Sequence, residues 1–125
     1  METPFDADTK IMVTLNQYKK GYLVCVKGAL EQVIDSCDLI LTKDGVQPLE
    51  NKEKWYHLSE KIASEGLRIL AFAYRHTDER PGQNDLTDQL VFLGIIGFLD
   101  PPRRDIKQAI QTYKDAGIKV VMITG

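Results

Sequence analysis

The longest apolar run in this sequence is residues 90–99, a stretch of ten residues that includes two glycines. A transmembrane helix needs about 20 apolar residues, so no segment is predicted to cross a membrane. A shorter continuous apolar run is typical of a strand that is buried on both faces of a sheet. We therefore expect residues 90–98 to form a buried strand.

The residues after this run predict a helix and another strand. Asp100-Pro101-Pro102 provides a helix cap and prolines suited to the first helical positions, and Gly117 is placed to end the helix. Residues 118–123 are a further apolar run, so the expected unit is strand, helix, strand, with parallel pairing and a right-handed crossover. Because one helix covers only one face, we expect residues 90–125 to rearrange, to pair with a second copy, or to expose an apolar patch.

The first part of the chain predicts an antiparallel sheet. Residues 10–15 alternate between apolar and polar side chains, residues 22–27 are rich in β-forming residues, and the polar residues between them favour a hairpin. Over residues 30–41 the apolar side chains recur every three or four positions, which predicts a helix. Residues 42–48 are expected to form a turn around Asp44-Gly45.

A second helix is predicted over residues 50–65, and Gly66 is placed to end it. Its buried stripe is expected to consist of Trp55, Leu58 and Ile62. Residues 67–74 predict a strand. Residues 75–89 contain almost no large apolar side chain, so we expect a solvated loop there.

Charge and cysteine content exclude several classes of protein. The chain has 125 residues, with 16 Lys and Arg against 18 Asp and Glu, a net charge of −2. This balance excludes a strongly basic surface for nucleic acid, and a hydrophobic content of 43% is too high for a disordered chain. Cys25 and Cys37 lack metal-ligand spacing, so reduced, packed thiols are expected. The N-terminus does not have the pattern of a signal peptide.

Two positions near the predicted hairpin could bind a ligand. Lys27-Gly28-Ala29 joins a strand to a helix, where a glycine permits close approach and an ammonium group suits phosphate. The alternative is an exposed lysine at a strand end with a turn glycine. Phe5 could stack on a nucleobase, or it could be a core residue at a domain edge.

Two further positions could bind an anion. Arg68 shares one strand face with Leu70 and Phe72, where it is either a surface charge with a packed stem or an anion-binding group in a partly apolar cleft. Thr124-Gly125 follows the last predicted strand, where α/β sheets bind phosphates, although an ordinary turn fits equally well. His57 and His76 are far apart in sequence and are expected at the surface.

Several longer segments occur in a specific order along the chain. They are Phe5-Asp-Ala-Asp-Thr-Lys10, Lys27-Gly-Ala-Leu-Glu31, Ser64-Glu-Gly-Leu-Arg-Ile-Leu-Ala-Phe-Ala-Tyr74, Leu93-Gly94, Asp100-Pro-Pro-Arg103 and Met122-Ile-Thr-Gly125. Together they resemble the nucleotide-binding domain, and the first part of the phosphorylation domain, of P-type ATPases, with the greatest likeness to calcium-type pumps. The resemblance covers essentially the whole chain.

This resemblance implies an α+β fold in two parts. Residues 1–90 would be the C-terminal portion of the nucleotide-binding domain, an antiparallel sheet with flanking helices. Residues 91–125 would be a truncated part of a HAD-like phosphorylation domain that contains the partial βαβ unit. The whole would be a cytoplasmic domain of an integral membrane protein, with no direct membrane contact of its own.

The resemblance also implies an adenosine site. Phe5 would stack on adenine and Lys10 would line the pocket. Lys27 would lie at the bottom of the pocket, with Gly28 allowing close approach. Ala7 replaces a residue that these pumps often have as Ser or Arg, so one polar contact to the nucleotide is expected to be missing.

The implied phosphate side lies further along the chain. Arg68 would reach the phosphates, with Leu70 on the pocket wall, and Thr124 and Gly125 would lie near the γ-phosphate and magnesium. Leu30 stands where the family usually has proline, which is expected to change the pocket little.

The resemblance implies an ATP-driven cation pump of which this chain would be one part. The Asp-Lys-Thr-Gly-Thr segment with the phosphorylated aspartate is absent, so no catalytic residue or metal ligand is expected here. ATP would be the ligand, with Mg²⁺ in the parent protein, and the chain alone would bind ATP weakly without hydrolysing it. Two alternatives are a non-catalytic interaction or regulatory module derived from such a pump, and a phosphatase-like unit in residues 90–125, against which the missing aspartate argues. The expected partners are the other domains of the pump, and self-association through residues 90–125 is a further expectation.

Overall fold

Seven strands form one mixed sheet in the computed structural model, which describes residues 1–99 and 101–123. The strands are β1 (Glu2–Thr3), β2 (Ile11–Tyr18), β3 (Gly21–Gly28), β4 (Cys37–Thr42), β5 (Gly45–Pro48), β6 (Arg68–Thr77) and β7 (Leu90–Phe98). The helices are α1 (Leu30–Asp35), α2 (Glu53–Ser64) and α3 (Ile106–Asp115). The strand order is β1-β2-β3-β6-β7-β4-β5, and all neighbours are antiparallel except β4 and β7. The expected α+β class is confirmed.

The predicted hairpin is present as β2 and β3. Its register runs from Ile11 opposite Gly28 to Tyr18 opposite Gly21. β3 then pairs with β6 rather than with its next neighbour in sequence, so α1, β4, β5 and α2 are all inserted between two adjacent strands.

The hydrophobic core lies between one face of the sheet and helices α1 and α2. Trp55 on α2 packs edge-on against Phe92 of β7, with ring centroids 4.9 Å apart. Burying apolar side chains on one face stabilises the sheet in proportion to the area removed from water. The buried side chains are Val13, Leu15, Val24, Val26, Leu30, Val33, Ile34, Cys37, Ala71, Ala73, Leu86, Leu90 and Phe92.

The helix predicted over residues 30–41 is wrong beyond its first half. α1 ends at Asp35, and Cys37–Thr42 is strand β4. Cys37 pairs with Leu90 of β7, and Ile40 packs against the same core. Residues whose apolar spacing fits a helix therefore lie in a strand. Residues 45–48, expected in a turn, form β5 of a β4–β5 hairpin. Tertiary pairing overrides the local period here.

Helix α2 and strand β6 follow the predicted order. Gly66 adopts the left-handed conformation (φ 82°) expected after a helix end. Leu58 is 38% exposed, so its expected place in the buried stripe is wrong, whereas Trp55 and Ile62 are half-buried.

The segment expected to be a solvated loop is anchored at its centre. β6 extends to Thr77, and Leu86 is buried in the core. The guanidinium of Arg75 donates hydrogen bonds to the carbonyl oxygens of Asp85 at 2.6 Å and Asp88 at 2.7 Å.

Strand β7 has the predicted bounds, but it is buried on one face only. Phe92 is in the core, whereas Leu93, Ile96 and Phe98 are exposed on the side of the sheet that α1 and α2 do not cover. β7 pairs with both β6 and β4, so the sheet continues past residue 90. A boundary between two domains would therefore lie after Phe98, and the division itself stays a prediction.

The predicted βαβ unit does not form within the described residues. Helix α3 begins at Ile106 rather than at the prolines, and Gly117 ends it with φ 75°. Residues 118–123 are not in a strand, and Ile123 is 92% exposed. Exposed apolar side chains, one of the three expected outcomes, are present in these residues, and pairing with a second copy stays a prediction. Within the described part of the chain, each helix is too short or too polar to cross a bilayer.

Candidate functional site

The side of the sheet that α1 and α2 leave open carries three of the predicted binding residues, Lys27, Arg68 and Leu70. Lys27 lies opposite Met12 on β2 and opposite Phe72 on β6. Directly opposed residues on antiparallel strands have side chains on the same face, with Cβ atoms about 5 Å apart. Lys27 is thus an exposed ammonium group between two apolar side chains.

A second row of side chains continues the same face. Thr14, Cys25 and Tyr74 lie opposite one another on β2, β3 and β6. The two rows, with Leu93, line a cleft of about 350 Å³ whose surface is mainly apolar. A mainly apolar cleft of this size with a few polar side chains is typical of a site for a small molecule.

Arg68 and Leu70 lie on the same face, further along β6. They are opposite Phe98 and Ile96, and they alternate with the core-facing Ala71. The predicted sharing of one face by Arg68, Leu70 and Phe72 is confirmed. The register of β6 and β7 shifts between Phe72 and Ala73, so that Leu93 on β7 has no directly opposed residue, and Leu93 lines the cleft on this face.

Lys10 and Gly28 meet at the end of the hairpin. Lys10 has a positive φ of 55°, and its carbonyl oxygen accepts a hydrogen bond from the amide of Ala29 at 3.0 Å. A Cβ on Gly28 would overlap that oxygen and would lie 2.8 Å from the side chain of Ile11. The space on the Cβ side of Gly28 is therefore taken by the chain's own loop, and the expectation that Gly28 lets a ligand approach closely stays a prediction.

Phe5 is held next to the start of β2. Asp6 turns the loop by accepting hydrogen bonds from the amides of Asp8 at 2.7 Å and Thr9 at 3.1 Å, and its own amide donates to the carbonyl of Ile11. Phe5 is 60% exposed, so it is not the core residue that one alternative proposed. Its ring is available to a ligand at the edge of the sheet.

Not all predicted residues can be placed. Thr124 and Gly125 lie outside the described residues, so their expected phosphate contact stays a prediction. His57 and His76 are both exposed, as predicted. No group of His, Cys, Asp and Glu among the described residues is arranged to bind a metal ion.

The two thiols are in different environments. Both cysteines are free, as expected. Cys37 is fully buried and donates its S–H to the carbonyl of Val33 at 3.1 Å, and burial raises the pKa of this thiol to about 12. A thiol with so little thiolate is chemically inert, whereas Cys25 borders the cleft.

The cleft contains residues that the sequence analysis did not single out. Met12, Thr14 and Tyr74 line it beside Lys27. Their alternate positions in the strands were the available signal, but this signal becomes useful only when the register of β2, β3 and β6 is known.

Most of this chain matches a known family. Residues 1–105 match the family model described as P-type ATPase, cytoplasmic domain N. The chain therefore belongs to the P-type ATPase family, which confirms the resemblance found in the sequence.

Calcium-transporting ATPases are among its curated relatives. The chain is 36% identical over 99% of its length to calcium-transporting ATPase 1 of Bacillus cereus, and 37% identical over 99% to that of Schizosaccharomyces pombe. It is 31% identical over 99% of its length to sodium/potassium-transporting ATPase subunit alpha-3 of Homo sapiens. It spans 14%, 13% and 14% of the length of these three relatives.

Proposed function

We propose that this chain is an ATP-binding part of the cytoplasmic region of a P-type cation-transporting ATPase. In that protein it would hold ATP so that the γ-phosphoryl group reaches an aspartate outside this chain. The observation that carries the proposal is that Lys27, Leu70 and Arg68 share one face of the sheet, in a chain that belongs to this family.

The spacing along β6 supports an extended nucleotide. Arg68 and Phe72 are four residues apart, which is about 13 Å along a strand. A base resting beside Phe72 and Lys27 would therefore have its phosphates toward Arg68. Phe5 and Lys10, at the edge of the sheet near Gly28, would close the adenosine end.

The residues of this chain would contribute binding and orientation. Lys27 would supply a point charge, Arg68 a planar guanidinium suited to phosphate, and Leu70 an apolar wall. The bond from the γ-phosphorus to its bridging oxygen would break, and a bond to the carboxylate oxygen of the distant aspartate would form. Thr124 and Gly125 are the residues proposed to lie near Mg²⁺, which would supply charge neutralisation in the parent protein.

Amide NMR titration of the full chain with ATP tests the proposal. ATP is expected to shift the signals of Lys27, Leu70 and Arg68, and Lys27→Ala is expected to weaken binding about three- to tenfold through loss of a charge-assisted contact. Lys43→Ala is the matched control, because Lys43 is an exposed lysine between β4 and β5 at the opposite edge of the sheet. Binding that is unchanged by Lys27→Ala would contradict the proposal.

An interaction module is the second candidate function, and it is supported by the exposed apolar side chains of residues 118–123. Met122 is 86% exposed, and exposed patches of this kind mark association surfaces. Self-association is expected to appear as a mass that rises with concentration in light scattering, and Val121→Lys is expected to abolish it. A mass that is constant and monomeric would exclude self-association.

A further inference from the structure

The loop before β2, residues 4–10, is exposed along its whole length. Burial of apolar side chains therefore contributes little to its conformation, although the loop carries Phe5 and Lys10. Lys10 adopts a positive φ of 55°, which is uncommon for a residue with a side chain. The loop must then owe its conformation mainly to hydrogen bonds.

Asp6 takes part in four hydrogen bonds that close this loop. Its carboxylate oxygen Oδ1 accepts from the amides of Asp8 at 2.7 Å and Thr9 at 3.1 Å. Its backbone amide donates to the carbonyl of Ile11 at 3.2 Å, and its own carbonyl accepts from the amide of Lys10 at 2.8 Å. Aspartate and asparagine suit such turns because their short side chains reach amides two or three residues further on.

The closed loop is joined to the sheet beside the cleft. The carbonyl of Lys10 accepts a hydrogen bond from the amide of Ala29, directly after β3, the strand that bears Lys27. A loop that is already ordered loses less conformational entropy when a ligand binds, so preorganisation raises affinity without a new contact. Asp6 is thus placed to affect nucleotide affinity without touching the nucleotide.

We propose that Asp6 is a positioning residue whose carboxylate oxygen holds the loop of Phe5 and Lys10 in the conformation that binds ATP. This inference rests on the proposed binding of ATP. The role belongs to the geometry of the side chain and not to its charge, because a carboxylate near the triphosphate would by itself repel it. Variants that separate geometry from charge therefore test it.

Titrations of the full chain with ATP compare three substitutions of Asp6. Asp6→Asn removes the charge but retains a carbonyl oxygen that accepts both amide bonds, so its affinity is expected to equal or exceed that of the wild type. Asp6→Glu retains the charge but places the carboxylate one methylene further from the backbone, and Asp6→Ala has no acceptor. Both are expected to bind ATP about three- to tenfold more weakly, the range of a typical hydrogen bond.

Asp8→Ala is the matched control, because it removes a neighbouring carboxylate whose side chain takes part in none of the four bonds. This variant is expected to bind ATP no more weakly than the wild type. Nitrogen-15 relaxation of the amides of residues 7–10, without nucleotide, is the second readout. Asp6→Ala and Asp6→Glu are expected to increase motion there, whereas Asp6→Asn is expected to retain the wild-type order.

The outcomes separate the two proposals. ATP affinity that is unchanged in Asp6→Ala and Asp6→Glu overturns the inference and leaves ATP binding intact. Asp6→Asn that binds as weakly as Asp6→Ala also overturns it, because charge would then be responsible. Absence of ATP binding to the wild type at millimolar concentrations overturns the proposed function and this inference together. If Asp6→Ala does not fold, the comparison of Asp6→Asn with Asp6→Glu decides, and equal affinities overturn the inference.

Discussion

The carbonyl oxygen of Lys10 lies where a Cβ on residue 28 would stand. The same oxygen accepts a hydrogen bond from the amide of Ala29. Residue 28 must therefore lack a side chain for the loop before β2 to close against the end of β3. This contact holds the loop that carries Phe5 and Lys10 next to Lys27.

Gly28→Ala is expected to lower the free energy of unfolding by about 1–3 kcal/mol, since the added methyl group must displace backbone. Urea unfolding followed by the fluorescence of Trp55, the single tryptophan, measures the change. Gly82→Ala is the control, because its Cβ would meet a carboxylate oxygen of the flexible Asp85 side chain at 2.8 Å. Equal losses in the two variants would show that the Lys10 contact is not the cause.

Arg68→Ala is expected to weaken ATP binding about three- to tenfold while leaving adenosine binding unchanged, because an exposed guanidinium acts on the phosphates through partly screened charge. Titrations with ATP and with adenosine measure the two affinities. Arg80→Ala removes another exposed arginine, from the loop after β6, and should change neither affinity. A parallel loss of adenosine binding would place Arg68 at the base instead.

Because the thiol of Cys37 is buried, the chain is expected to lose stability at alkaline pH. Burial raises the pKa of its thiol from 9.0 to about 12 in the folded chain. Below pH 9 the thiol is protonated in both states, whereas above it the unfolded chain ionises first, so stability falls as pH rises toward 12. Between pH 8 and 10 the wild type is expected to lose about 1 kcal/mol more than Cys37→Ala in urea unfolding. Identical slopes would mean that Cys37 ionises as readily in the folded chain.

Phe92 and Leu93 are neighbours in sequence, but substitutions of the two residues are predicted to change stability by very different amounts. Phe92→Leu is expected to cost about 1–3 kcal/mol, because it opens space in the core and removes the edge-on contact with Trp55. Leu93→Ala, on the open face, is expected to stay within about 0.5 kcal/mol. Thermal unfolding of both variants measures this difference, and comparable losses would indicate that the open face is covered in solution.

Local sequence predicted those elements whose pattern agrees with their packing. The β2–β3 hairpin, helix α2 and strand β7 have alternation, helical period or an apolar run that matches their surroundings. The helix predicted over residues 30–41 is wrong from Cys37 onward. The apolar residues there have the three-to-four spacing of a helix, but they lie in a strand that pairs with β7. Residues 118–123 have the composition of a strand, but within the described residues they pair with none.

In the candidate site, too, some residues could be identified from the sequence and others only from the structure. Lys27 and Arg68 could be selected from the sequence because a charge in or beside an apolar strand is unusual. Tyr74 and Thr14 could not, because a polar or aromatic side chain at an alternate strand position is ordinary. Only the pairing of β3 with β6, across an insertion of about 40 residues, puts them beside Lys27.

The amino-acid sequence alone was sufficient to assign the family and to show the alternation that makes strand β2 two-sided. Tertiary structure decided which side of the sheet the helices cover, and therefore which side chains are left to line a cleft. The physical reason is that periodicity is a property of neighbouring residues, whereas strand register and burial depend on contacts between distant segments.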